Sequence, residues 1–115
     1  MSTETDDWAE TNRAVAEVIA ERPEGYAAMV IQNLDDLLRY LRSTNRPAPA
    51  VSPGYWPTFC LTWAVEEARN LEIEVFEDRY EIYRFFDGNT DIRHEPHMPG
   101  DELSVGFEAE LPRTA

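Results

Sequence analysis

With 115 residues, 43% of them apolar, the chain is long enough for one compact core and too short for two. Acidic residues number 23 against ten basic ones, all arginine, for a formal net charge of −13; such a chain repels nucleic-acid phosphate, so direct DNA or RNA binding is disfavoured. One cysteine, Cys60, excludes an intramolecular disulfide framework and a multi-cysteine zinc site, and no apolar run approaches the roughly 18 residues of a membrane span.

The acidic opening MSTETDDWAE lacks the basic-then-apolar layout of a signal peptide, so a cytoplasmic protein is expected. Three readings of the acidity stand side by side: solubility, a negative surface for a basic partner, or a high-salt cytoplasm. Residues 1–115 are expected to form a single domain.

Residues 6–22 read as a helix. Trp8, Val15, Val18, Ile19 and Arg22 share one stripe, and Asp6, Asp7 and Glu10 place carboxylates at the favourable end of its dipole. Pro23 ends it. Residues 24–43 hold the clearest helix, in which Tyr26, Met29, Val30, Leu34, Leu37, Leu38 and Leu41 recur at steps of three and four. The short link between the two predicts an antiparallel helix hairpin, and Asn45 is a plausible cap for the second helix.

Residues 46–57, RPAPAVSPGYWP, carry four prolines and read as a stiff connector whose Tyr55 and Trp56 pin its end against the core. From Thr58 to Glu66 Phe59, Leu61, Trp63 and Val65 alternate with Cys60, Thr62 and Ala64, the period of a strand. Asn70 to Phe86 reads as a strand pair turning at Asp78-Arg79, which sets Val75 against Ile82, Ile73 against Arg84 and Leu71 against Phe86. Asp87-Gly88-Asn89 signals another turn, and Thr90 to His94 a short fourth strand. Leu103 to Leu111 is ambiguous between helix and strand, with strand slightly ahead because Gly106 weakens a helix. The fold class is therefore α+β: an N-terminal helix hairpin on an antiparallel meander of three to five strands within 58–111.

One face of that meander carries the functional candidates. Glu72, Glu74, Phe76, Glu81, Tyr83 and Phe85 project together, mixing carboxylates with large aromatic rings as an interface for a basic protein would. The bland alternative is that the tail or the helices cover these rings. Arg84 falls on the inward side and needs an acidic partner or a place at the sheet edge. No glycine-rich phosphate loop, nucleophile elbow or dinucleotide fingerprint is present, and no cofactor is implied. The expected function is a non-catalytic interaction protein: an antitoxin- or immunity-like inhibitor, or a small adaptor or chaperone. Two alternatives accompany it: a metal site using His94 and His97 with Asp91, Glu95 and Asp101, and a homodimer in which the aromatic face pairs with itself.

Overall fold

The computed structural model describes residues 3–113. Two helices, α1 (Thr3–Ala20) and α2 (Ala28–Ser43), precede strands β1 (Ala50–Pro53), β2 (Phe59–Thr62), β3 (Leu71–Val75), β4 (Arg79–Phe86) and β5 (Asn89–Pro96). A 3-10 turn at Glu66–Ala68 links β2 to β3, and a short helix, α3 (Val105–Glu110), follows the sheet. The strands lie in the order β1-β2-β3-β4-β5, every neighbour antiparallel, so the α+β class and the meander are as expected.

The apolar stripe of α2 buries Val30, Leu34, Leu37 and Leu41. These meet Phe59, Leu61, Leu71, Ile73, Val75, Tyr80 and Ile82, the inward positions of β2, β3 and β4. The first helix adds Trp8 and Val18 and packs along β1, where the Thr11 hydroxyl donates to the Pro49 carbonyl at 2.8 Å. Trp8, early in α1, lies beneath the Arg42 guanidinium near the end of α2, the arrangement of an antiparallel pair. Asn45 takes φ +57°, and the Arg46 N–H donates to the Leu41 carbonyl at 2.9 Å, which closes α2 with a Schellman turn.

Five expectations need correction. The strand expected over Thr58 to Glu66 is shorter, for β2 ends at Thr62 and Glu66–Ala68 is a 3-10 turn. The segment 46–57 is more than a stiff connector: Ala50–Pro53 within it forms edge strand β1, a position where proline is tolerated because no partner needs its missing N–H. Tyr55 and Trp56 do not pin the connector's end; they are 78% and 68% exposed. The β3–β4 turn is centred on Glu77-Asp78, so Val75 faces Tyr80, Ile73 faces Ile82 and Leu71 faces Arg84. A shift of two residues leaves every side chain on its original face. Residues 105–110 are helix, not strand: the Ser104 hydroxyl accepts from the Phe107 N–H at 3.1 Å, and this cap offsets Gly106.

α3 also answers what the tail covers. Phe107 stacks on Tyr80 at 5.2 Å between centroids, and the Arg84 guanidinium donates to the Glu110 carbonyl. Both contacts lie on the side already occupied by α1 and α2. Arg84 thus meets the acid it needs, with the Glu110 carboxylate 3.9 Å away.

Candidate functional site

Among the described residues the three α-helices share one side of the sheet, and no helix covers the opposite face. Cross-strand pairing arranges that face in rows. One row runs Ser52, Cys60, Glu74, Glu81, His94; the next runs Thr62, Glu72, Tyr83, Ile92. The structure therefore brings Glu72, Glu74, Glu81, Tyr83 and Phe85 together on one surface.

Glu74 and Glu81 stand directly opposite each other, a pairing that costs stability unless donors intervene. Three groups intervene at Glu74, which is only 1% exposed. The loop between β1 and β2 folds back through a Gly54 N–H to Thr58 carbonyl bond of 2.9 Å. This carries the Thr58 hydroxyl and the Tyr55 N–H onto Glu74 Oε2. Tyr83 fills the space on the other side, its hydroxyl donating to Glu81 Oε1 at 2.6 Å with Glu74 Oε1 3.2 Å away. Arg79 completes the chain, its guanidinium 2.7 Å from Glu81 Oε2 and 4.0 Å above the Phe76 ring.

Phe76 stands apart from the other candidates. Its ring lies under Arg79 and lines, with Ala27, Val30, Trp56 and Thr58, a groove of about 500 Å³ at the end of the sheet.

The electrostatics follow from these contacts. Burial works against the Glu81 charge, yet hydrogen bonds from Tyr83 and Arg79 and the nearby Arg79 and His94 charges hold its carboxyl below the usual range. The Tyr83 phenol is pushed up, first by burial and then by Glu81 and Glu74. Cys60 is buried, and its thiol is raised by that burial and by Glu72 and Glu74, so thiolate chemistry is suppressed. The face presents acceptors and apolar rings and holds no activated nucleophile among the described residues.

His94 and His97 are not brought together. His94 lies on the open face with Nε2 3.5 Å from Glu81. His97 is buried on the helix side, its ring tilted against Tyr80 at 4.9 Å between centroids, and its Nε2 is 2.9 Å from Asp36 Oδ2. Glu95 pairs with Arg93, and Asp101 accepts from the Met98 N–H. Among the described residues no three His, Cys, Asp or Glu side chains converge as a metal site would require.

Sequence reasoning missed Thr58, Gly54 and the Tyr55 amide as parts of this cluster. Gly54 following Pro53 carried the only signal, a turn able to approach another backbone closely. Comparison with protein-family models, with curated proteins and with solved structures gave no match.

Proposed function

We propose that the protein is a non-catalytic interaction domain whose open sheet face receives a basic partner protein. The observation that carries this reading is uncompensated charge beside exposed aromatic surface. Among the described residues half-buried Glu72 has no cation within ion-pair distance, whereas buried Glu74 is tied inward and Glu81 is held by Arg79. Phe85, 45% exposed, and half-buried Tyr83 lie on the same face, stacked at 6.4 Å between centroids. Apolar rings ringed by carboxylates suit a cationic surface with an apolar centre, and a net charge of −13 would steer such a partner in. An inhibitor or an adaptor would use the face in the same way.

The network around Glu74 selects the residues to test. Glu74 is tied inward and holds the face's shape, while Glu72 and Phe85 remain accessible. Capture of a basic protein from the native host should weaken with added salt and fall about tenfold or more with Glu72→Arg combined with Phe85→Ala. Capture that is unchanged by both the salt and the double variant, with the fold intact by circular dichroism, would refute the reading.

A further inference from the structure

We infer that β5 is a self-pairing edge, through which two copies of the chain join antiparallel into one continuous sheet. The inference is independent of the partner proposed for the open face, because it rests on the strand's edge.

The two edges of the sheet differ. β1 is four residues long, ends in Pro53 and is flanked by α1, all features that blunt an edge. β5 is eight residues long, and every residue of it except Glu95 is exposed. It contains no bulge in its pairing with β4, since the register runs unbroken from Phe86–Asn89 to Arg79–Pro96.

The free hydrogen-bonding groups can be assigned. The Phe85 N–H donates toward β3, to the Asn70 carbonyl, and the His97 N–H donates back toward the β3–β4 turn, to the Asp78 carbonyl. By the alternation of antiparallel ladders, Asn89, Asp91, Arg93 and Glu95 bond to β4. Thr90, Ile92 and His94 then turn their N–H and C=O groups to the open edge.

Charge chooses the register. A two-fold pairing that uses most of the strand must centre on residue 91, 92 or 93. Centring on Asp91 sets two aspartates face to face. Centring on Arg93 sets Arg93 against Arg93 and Asp91 against Glu95. Only the Ile92-centred register sets Asp91 of one copy against Arg93 of the other, twice by symmetry, with Thr90 opposite His94. Arg93 already pairs with Glu95 and Glu110 within the chain, whereas among the described residues Asp91 has no ion-pair partner and would add a third carboxylate to that guanidinium; Ile92, 58% exposed on the open face, gains its counterpart as neighbour. In this register each pair of outward-facing residues exchanges both backbone bonds.

Light scattering or sedimentation of the full chain across micromolar concentrations tests the inference. A reversible dimer is expected. Ile92→Pro removes an edge N–H that β4 does not use, and should yield a folded monomer. Asp91→Arg places like charges at both symmetric contacts and should raise the dimer dissociation constant about tenfold. A chain that stays monomeric throughout overturns the inference, and so does a dimer indifferent to Ile92→Pro and to Asp91→Arg.

Discussion

Gly54→Ala offers the sharpest test of how the open face is held. A methyl group there would stand 2.0 Å from Thr58 Oγ1, 2.8 Å from Glu74 Oε2 and 3.0 Å from Thr58 Cβ. The Gly54 backbone lies outside the left-handed region, so any effect is steric. Thr58 is itself buried, and its hydroxyl can make room only by turning away from the Glu74 carboxylate. Losing one hydrogen bond to a charged group costs about 1.5–3 kcal/mol, and forcing a methyl into packed space about 1–3 kcal/mol more. We therefore expect Gly54→Ala to cost about 3–4 kcal/mol, a large share of the roughly 5–15 kcal/mol typical of a domain. Urea unfolding followed by the fluorescence of buried Trp8 and Trp63 reads it directly, with an unchanged m-value marking a pure stability effect. Thr58→Ala isolates the cause. It loses the hydrogen bond but also removes the oxygen at 2.0 Å, so adding Gly54→Ala to it should cost only about 1 kcal/mol more. Strictly additive costs, or a Gly54→Ala variant within about 0.5 kcal/mol of the parent, would refute the close approach of loop and carboxylate.

The remaining predictions concern other joints of the fold. Asn33 is buried, and its amide donates to the Phe76 carbonyl at 2.9 Å and the His97 carbonyl at 3.3 Å. Asn33→Ala leaves both carbonyls without this donor and should cost about 2–3 kcal/mol by denaturant titration. Acid should destabilise the protein in a defined window. Burial opposes the Asp36 charge, but the Gly100 N–H, His97 and Arg39 hold its carboxyl below the ordinary value, and Glu81 is lowered as well. Groups so lowered add stability above their unfolded value of about 4 and lose it as pH falls through the folded one. Asp36→Asn should therefore flatten the loss of melting temperature below that pH. Finally, Cys60 should react with a thiol reagent far more slowly in native than in unfolded protein, at a rate limited by opening of the sheet.

Much of the fold was legible because periodicity is local. Leu34, Leu37 and Leu41 fall on one helical face whatever they pack against, and the alternation of Leu71, Ile73 and Val75 fixes a strand's inward side. Alternation is blind to a slip of two, which is why the hairpin's faces were right while its partners were not. β1 hid behind its prolines, because a four-residue edge strand needs few backbone donors. β5 carries a single apolar anchor, Ile92, since an exposed edge has no core to impose a pattern. In α3 the helical and strand spacings coincide over six residues, and the Ser104 cap with the stacking of Phe107 on Tyr80 decides between them.

The site was legible as a surface and illegible as a network, and the reason is sequence separation. Alternation places Glu74 beside Glu81 and Tyr83 on one face, but its burial depends on Thr58, 16 residues earlier, and on a loop amide 19 residues earlier. No local pattern encodes that return. Its consequence is a division of labour among the acids. Glu74 and Glu81, with Tyr83 and Arg79, hold one another and fix the face's shape, so removing them would unsettle the sheet before it told anything about binding. Glu72, with Phe85 and Ile92, remains accessible enough to contact another molecule, by the face in one case and by the edge in the other. Glu72→Arg should therefore alter capture of a basic protein while leaving self-association unchanged, and Asp91→Arg, whose side chain lies on the helix side of the edge, should weaken self-association while leaving capture by each monomer intact.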